Sequence, residues 1–188
     1  MTDTLKVLTI CGSLRKGSYN AALVRMAPKL APAGLSFHDA PSFAEFPIYN
    51  HDVQNAGWPA PVNALADAIR AADAILIVSP EYNWTIPGGL KNAIDWVSRQ
   101  KEQPFAGKPV AVQSAAGGLL GGSRMQYHLR QSLTSLDVHW FGRPEVIVSF
   151  APQKFDATTL ELKDQGAIDM IKAQLAGFEK FIRMVRGK

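Results

Sequence analysis

The sequence predicts an α/β fold in which a five-stranded parallel sheet is covered by helices on both faces. Short apolar runs alternate with segments of helical periodicity along the 188 residues, which is typical of repeated β-α-β units. The central runs are almost entirely apolar, as expected for strands that are buried on both faces. A hydrophobic fraction of 47% suits one sizeable core. We therefore expect a single domain spanning residues 1–188.

Two strands and one helix are expected within the first 39 residues. Leu5–Cys11 is apolar and rich in β-branched residues, which predicts a buried strand, and Leu35–Asp39 predicts a short second strand. Between them an apolar spacing of three and four residues indicates one face of a helix. Pro28 lies within this helix and is expected to kink or shorten it. The apolar face consists of Leu23, Met26, Ala27 and Leu30.

A long connection, residues 40–61, precedes the second helix and contains several Pro, Asn and Gly residues. Connections of this length in a compact domain are often functional or form interfaces. The helix after it has its apolar face at Val62, Leu65, Ala66 and Ile69. Residues 74–79, Ala-Ile-Leu-Ile-Val-Ser, form the clearest strand pattern in the chain.

The second half of the chain predicts two more strands, at residues 109–114 and 145–150, and three more helices. The final helix has an apolar stripe that continues for almost five turns. The apolar faces of the three helices are Leu90, Ala93, Ile94 and Val97; Met125, Leu129, Leu133 and Leu136; and Ile168, Ile171, Leu175, Phe178, Ile182 and Val185.

Right-handed crossovers restrict five such strands to a few topologies. The chain has no second mononucleotide-binding half, which favours the flavodoxin-like strand order 2-1-3-4-5 over the Rossmann order. In that order the first, third and fourth strands are neighbours, so the loops that follow them meet at one edge of the sheet. Ligands of open α/β sheets bind at this edge.

Composition excludes several classes of function. The net charge of +4 is scattered along the chain rather than clustered, so we expect no nucleic-acid partner. No apolar run has the roughly 20 residues that a membrane-spanning helix needs, and no secretory leader is visible, so we expect no membrane insertion. The single cysteine, Cys11, fits a reducing, cytoplasmic environment. The four histidines lack metal-ligand spacing, and we expect no metal.

Loop 1, residues 12–20, joins the first strand to the first helix and suits a phosphate group. Its glycines expose backbone amides, and the start of the helix adds unpaired N–H groups and partial positive charge. Polar contacts would come from Ser13, Arg15, Ser18 and Asn20. The spacing matches neither the P-loop nor the G-x-G-x-x-G fingerprint. The alternative interpretation is a capped helix start with Ser18 or Asn20 as the N-cap.

Loops 2 and 3 suit a flat ligand. In loop 2, residues 80–89, Tyr82 and Trp84 offer aromatic surface and the backbone of residues 81–83 offers hydrogen bonds, although an aromatic turn at an oligomer contact would have the same composition. Loop 3, residues 114–122, contains four glycines that leave room for a planar ligand, or that provide flexibility alone.

Cys11 lies in a buried strand and is expected to be inert packing. Because no nucleophile or metal is evident, a cofactor is the expected carrier of chemistry.

Three segments resemble the NADPH-dependent FMN reductase family, with the nearest likeness to its chromate and quinone reductase branch, which is related to bacterial azoreductases. The segments are Gly12-Ser13-Leu14-Arg15-Lys16-Gly17-Ser18-Tyr19-Asn20, Pro80-Glu81-Tyr82-Asn83, and Pro87-Gly88-Gly89-Leu90-Lys91-Asn92-Ala93-Ile94-Asp95-Trp96. The resemblance implies a flavodoxin-like fold with non-covalent FMN, reduced by NADPH or NADH, which then reduces quinones, chromate, azo compounds or free flavin by ping-pong hydride transfer. No catalytic acid or base is implied.

The resemblance also implies positions for the cofactor. It places the FMN phosphate at Ser13, Arg15, Ser18 and Asn20, with Tyr19 in the same segment, and the flavin ring at Pro80, Glu81, Tyr82 and Asn83. The ring is flanked by Ser114, Ala115, Ala116, Gly117 and Gly118. The sequence departs from the family pattern at Trp84 and in the weakly polar Ala115-Ala116-Gly117.

Two other functions are compatible with the loops. The first is a flavin-binding electron carrier without its own NAD(P)H turnover, although a pI of 9.3 is unlike the acidic carriers of that kind. The second is a phosphate-binding protein without flavin.

We also expect a homodimer or homotetramer, because the chain is rich in large aromatic residues. The alternative is that these residues pack within one chain. Arg124, Tyr127 and Glu145 could then pair across a two-fold axis. The aromatic and apolar residues concerned are Tyr82, Trp84, Trp96, Trp140 and Phe141, with Phe43, Phe46, Ile48, Tyr49 and Trp58 in the long connection.

Overall fold

The computed structural model describes residues 3–187, which contain six strands and seven helices. The strands are β1 (Leu5–Cys11), β2 (Leu35–Asp39), β3 (Ala74–Val78), β4 (Pro109–Ala115), β5 (His139–Trp140) and β6 (Val146–Val148). The helices are α1 (Tyr19–Leu30), α2 (His51–Ala56), α3 (Ala60–Ala71), α4 (Gly88–Val97), α5 (Ser123–Thr134), α6 (Ala151–Lys154) and α7 (Gln165–Arg186).

The strands form one parallel sheet in the order β2-β1-β3-β4-β5, and β6 also pairs with β4. The predicted flavodoxin-like order is therefore confirmed. The number of strands needs correction, because the fifth position is divided into two short strands. β5 pairs with the first residues of β4 and β6 pairs with its last residues.

The strand predicted at residues 145–150 is shorter in the structure and covers only Val146–Val148. Phe150 has a φ of 52°, which ends the extended backbone, and α6 begins at the next residue. The residues between β5 and β6 include Gly142 and Pro144, which have low strand propensity. Strand β5 was not predicted, because two residues are too few to show the alternation of polar and apolar side chains that indicates a strand.

The sheet separates two hydrophobic clusters. Alternate residues of β1 and β3 point to opposite faces: Leu8 and Ile75 belong to one cluster, and Val7 and Leu76 to the other. Helices α3, α4 and α5 cover the first face, and α1 and α7 cover the second. This is the predicted arrangement of helices on both sides of a sheet. Helix α1 continues for two residues past Pro28, which lies in its last turn.

The long connection contains a short helix, α2, that was not predicted, and most of its aromatic residues pack inside the chain. Trp96 is fully buried, and the rings of Tyr49 and Trp58 meet it edge-on at centroid distances of 5.1 and 6.0 Å. The indole N–H of Trp96 donates to the carbonyl oxygen of Pro47 at 2.8 Å. Phe43 is also buried. Packing within one chain, the alternative interpretation, therefore accounts for Phe43 and Trp96, whereas Ile48 in the same connection is 81% exposed.

Among residues 3–187, no helix combines the length and hydrophobicity that crossing a membrane requires.

Candidate functional site

Loops 1, 2 and 3 meet at the carboxyl edge of β1, β3 and β4. The Asn20 carboxamide makes two hydrogen bonds of 2.9 Å, one to the N–H and one to the carbonyl oxygen of Ala115, and so ties loop 1 to loop 3 across 95 positions of sequence. At Gly12 a Cβ atom would lie 2.2 Å from the Ser79 hydroxyl, so loop 1 contacts the end of β3 directly. At Gly122 a Cβ atom would lie 2.8 Å from that of Ser114. The predicted convergence is therefore present.

Loop 1 ends in a capped helix start that leaves backbone amides without protein partners. The Ser18 hydroxyl accepts hydrogen bonds from the N–H groups of Asn20 and Ala21 at 3.2 and 3.3 Å, which confirms Ser18 as the N-cap of α1. Within residues 3–187, the N–H groups of residues 16–19 donate to no protein acceptor. Four such donors at the positive end of a helix form an anion-binding arrangement. The helix-cap and phosphate interpretations thus describe the same geometry.

The side chains of loop 1 divide into two groups. Arg15 is exposed, has no carboxylate partner among the described residues, and lies 5.9 Å from the ring centroid of Tyr19. Ser13 and Ser18 are buried, and their hydroxyls accept backbone hydrogen bonds, Ser13 from Arg15 and Ser18 from Asn20 and Ala21. Asn20, in contrast, uses its carboxamide on Ala115. The structure therefore leaves Arg15, Ser13 and Ser18 at the anion-binding end, whereas Asn20 fixes the distance between two loops.

Loop 2 contains a tight two-residue hairpin after the buried Pro80. Tyr82 and Thr85 exchange backbone hydrogen bonds of 3.1 and 3.0 Å, and Asn83 and Trp84 between them have φ values of 46° and 69°. Two successive positive φ angles are typical of a type I′ turn, for which Asn-Gly is the favoured sequence. Trp84 is a bulky residue in a left-handed conformation, which is uncommon and costs free energy. Such strain is often found at functional sites.

An ion pair that sequence reasoning missed joins loop 2 to helix α5. The Glu81 side chain is only 8% exposed, and its Oε1 accepts a hydrogen bond of 2.6 Å from Nε of Arg124. The Arg124 guanidinium also lies over the Trp84 ring, 4.0 Å from its centroid. One turn further along α5, Nδ1 of His128 lies 2.8 Å from the Thr85 hydroxyl. Glu81 and Arg124 are 43 positions apart in the sequence, and no local pattern indicates this contact.

The exposed part of loop 3 begins later than the resemblance implied. Ser114 and Ala115 are buried residues of β4, and the Ser114 hydroxyl accepts a hydrogen bond of 2.9 Å from Nε2 of Gln126. Ala116 is half-buried, whereas Gly117 and Gly118 are exposed. A Cβ at Gly118 would meet no atom within 4 Å. Gly118 therefore borders open space, whereas a Cβ at Gly117 would lie 3.9 Å from Pro152.

The donor set and the open space fit a planar cofactor that carries a phosphate. Loop 1 provides free amides and the Arg15 guanidinium for the anion, while loop 2 and residues 116–118 provide two walls with backbone hydrogen-bonding groups. Among residues 3–187, no group of three or more His, Cys, Asp and Glu side chains is arranged to hold a metal ion.

Cys11 lies at the end of β1, where it is half-buried. Its Sγ lies 3.4 Å from the Ser13 carbonyl oxygen, to which the thiol donates. Burial raises the pKa of the Cys11 thiol above its ordinary value. The thiol is therefore protonated at neutral pH and is a poor nucleophile.

Replacing Cys11 with Ser is expected to leave turnover per bound flavin within about twofold of the wild type, because the thiol supplies no chemistry. A loss of stability of about 1 kcal/mol is expected, since a polar hydroxyl replaces sulfur in a mainly apolar setting. Flavin content, turnover and thermal unfolding are measured on the same preparation. A large loss of turnover with flavin still bound would show a redox role for the thiol.

The strand order and the position of the three loops define a flavodoxin-like α/β protein. A family model for NADPH-dependent FMN reductase matches residues 5–153. The chain is 49% identical over 187 residues to a quinone reductase of Escherichia coli K12, covering 99% of this chain and all of that protein. It is 48% identical over 187 residues to an NAD(P)H-dependent FMN reductase of Pseudomonas aeruginosa, covering the whole of both chains.

A solved structure agrees with these sequence matches. The flavoenzyme NAD(P)H:(acceptor) oxidoreductase FerB from Paracoccus denitrificans superposes with a TM-score of 0.86 at 32% identity, over 96% of this chain and 98% of that one. The chain therefore belongs to the NADPH-dependent FMN reductase family. It is an enzyme, a flavin-dependent oxidoreductase that uses FMN and NAD(P)H.

Proposed function

We propose that this enzyme transfers electrons from NAD(P)H to quinones through FMN bound where loops 1, 2 and 3 meet. The observation that carries the proposal is the set of amides in residues 16–19 without acceptors among the described residues. They lie on a loop that Asn20 ties to loop 3, where a Cβ at Gly118 would meet no atom within 4 Å. The relatives from Escherichia coli and Pseudomonas aeruginosa, named for quinone reduction and FMN reduction, support the choice of acceptor and cofactor.

The site residues are assigned by their chemistry. Ser13, Arg15, Ser18 and the N–H groups of residues 16–19 bind the phosphate, and Asn20 positions loop 3. The backbone of residues 80–83 and that of residues 116–118 flank the ring. Bound FMN supplies hydride acceptance from the nicotinamide and hydride donation to the acceptor. The carboxylate in loop 2, Glu81, is held by Arg124 and is not free to serve as a general base.

We expect ping-pong kinetics, because the exposed tips of loops 2 and 3 form one open face that the two substrates would occupy in turn. Initial rates are measured with NADH and with NADPH against quinones, chromate, azo dyes and free FMN. Parallel lines in double-reciprocal plots at several quinone concentrations are the expected result. Lines that intersect would contradict a ping-pong mechanism in which the two substrates occupy one face in turn. Bound flavin without NAD(P)H oxidation would favour an electron carrier.

We also propose that the chain assembles into a homodimer or homotetramer that covers the apolar rim of the site. Trp84 and Leu119 are each 69% exposed, and Tyr127 is also exposed. Exposed apolar groups clustered near a site often mark protein contacts. Within one chain Arg124 pairs with Glu81, and Glu145 pairs with Arg130 at 2.7 Å. A pairing of Arg124 with Glu145 of a second copy across a two-fold axis stays a prediction.

Light scattering at micromolar concentration is expected to give two or four times the mass of one chain. The physical reason is the free energy gained by removing the exposed tryptophan and leucine side chains from water. A mass equal to that of a single chain would contradict the assembly proposal and would leave the flavin assignment unaffected.

A further inference from the structure

Arg124 makes two different contacts with loop 2, one with the residue before the Tyr82–Thr85 hairpin and one within its turn. Through Nε it donates to Glu81, the residue before the hairpin, at 2.6 Å, and its Nη2 also contacts that carboxylate. The flat face of the same guanidinium covers the Trp84 ring at 4.0 Å. The backbone N–H of Met125 lies 3.4 Å from the other Glu81 oxygen. The first turn of α5 therefore acts as a rigid support for loop 2.

The hairpin needs such a support because its own sequence disfavours its backbone conformation. A type I′ turn requires positive φ at both central residues, and glycine normally occupies the second. Here Trp84 has a φ of 69°, a left-handed conformation that is unfavourable for a residue with a Cβ. Only two backbone hydrogen bonds, both between Tyr82 and Thr85, close the hairpin in this exposed loop. Contacts from outside the hairpin therefore add to its stability.

The Arg124 contact differs from an ordinary surface ion pair in its burial. Glu81 is 8% exposed, and Arg124 is 31% exposed, so the pair is partly shielded from water. A matched contact exists on the same helix, where Arg130 pairs with Glu145 at 2.7 Å and lies 5.3 Å from the Tyr127 ring centroid. That second arrangement has the same chemistry but does not touch loop 2.

We propose that Arg124 is a positioning residue that holds the Tyr82–Thr85 hairpin in the conformation in which loop 2 receives the flavin ring. Arg124 acts through Glu81 and Trp84 and touches neither substrate. The expected weakening of FMN binding rests on the proposed function. The restraint of the hairpin by Arg124 does not, because it concerns the protein without flavin. Trp84 is then a restrained wall of the site, with one face on Arg124.

The primary test measures the hairpin in the flavin-free protein. Acrylamide quenching of Trp84 fluorescence, assigned by difference from Trp84→Phe, reports how accessible the ring is and therefore whether Arg124 covers one of its faces. We expect Arg124→Met to raise the quenching rate of Trp84 about twofold, because the guanidinium no longer covers one face. Arg130→Met is the matched control and is expected to leave it unchanged. Equal quenching in the wild type and Arg124→Met would overturn the proposal, whether or not the protein binds FMN.

The second test separates positioning from general stability by a double-mutant cycle on the FMN dissociation constant. Arg124→Lys keeps a positive charge beside Glu81 but loses the planar fork and the stacked face. We expect it to weaken FMN about fivefold in the wild type and less than about twofold in a Trp84→Gly background, because glycine adopts positive φ without restraint.

Equal effects of Arg124→Lys in the two backgrounds would contradict the positioning role. Circular dichroism on each variant identifies unfolding, and if Arg124→Met does not fold, the quenching comparison is made on Arg124→Lys. If neither the wild type nor any variant binds FMN, the proposed function is wrong. The quenching result then still decides whether Arg124 positions the hairpin.

Discussion

Replacing Arg15 and Ser18 together with Ala is expected to weaken FMN binding by about two orders of magnitude. Arg15 is exposed and has no carboxylate partner within residues 3–187, and its charge-assisted bond to a phosphate would contribute about 1.5–3 kcal/mol. The Ser18 hydroxyl would contribute roughly 1 kcal/mol more as a neutral donor, and a difference of 1.4 kcal/mol corresponds to tenfold. Flavin titration of the apoprotein measures the change.

Two controls separate loss of the phosphate contact from other effects of these substitutions. Arg25→Ala removes an exposed arginine of α1, the helix that follows loop 1, and is expected to change the FMN dissociation constant little. Ser18→Gly removes the hydroxyl but keeps most of the helix-cap stability, since glycine is a tolerable N-cap. Unchanged FMN affinity in the Arg15→Ala, Ser18→Ala protein would show that loop 1 does not bind the phosphate.

Gly12→Ala is expected to lower the free energy of unfolding by about 3 kcal/mol, the largest stability change that we predict. Its Cβ would lie 2.2 Å from the hydroxyl oxygen and 2.6 Å from the Cβ of Ser79, inside a fully buried contact between β1 and the end of β3. Overpacking of this kind costs about 1–3 kcal/mol or more because backbone must shift. Denaturant unfolding of the apoprotein measures it.

Gly17→Ala is the matched control, because it lies in the same loop and its Cβ would meet no atom within 4 Å. Its stability is expected to stay within about 0.5 kcal/mol of the wild type. Ser79→Gly combined with Gly12→Ala should recover much of the loss, since both clashing atoms are removed. A Gly12→Ala protein as stable as the wild type would mean that loop 1 and β3 are not in contact.

The order of the sheet could be predicted because each central strand is a continuous apolar run and each helix has a clear apolar face. The division of the fifth strand could not, since β5 has only two residues and Phe150 ends β6 through a positive φ that no local pattern indicates. Helix α2 was missed for a related reason: none of its residues is buried, so it has no apolar face to recognise.

The composition of the site was predictable, but its internal connections were not. The glycines and serine of loop 1 predicted both the helix cap and the free amides, because both follow from local backbone geometry. The carboxamide of Asn20 was expected on a phosphate and instead bonds Ala115, a partner 95 positions away. The Glu81–Arg124 pair spans 43 positions and depends on tertiary packing. The strained φ of Trp84 follows from that packing as well.

Anaerobic mixing of the FMN-loaded wild-type protein with NADPH or NADH, without an acceptor, tests the central claim most directly. The account predicts that the visible absorbance of the bound flavin bleaches with one equivalent of reduced nicotinamide per flavin and returns when a quinone is added. A flavin that stays oxidised with both nucleotides would contradict the proposal that the three loops form an NAD(P)H-dependent quinone reductase site.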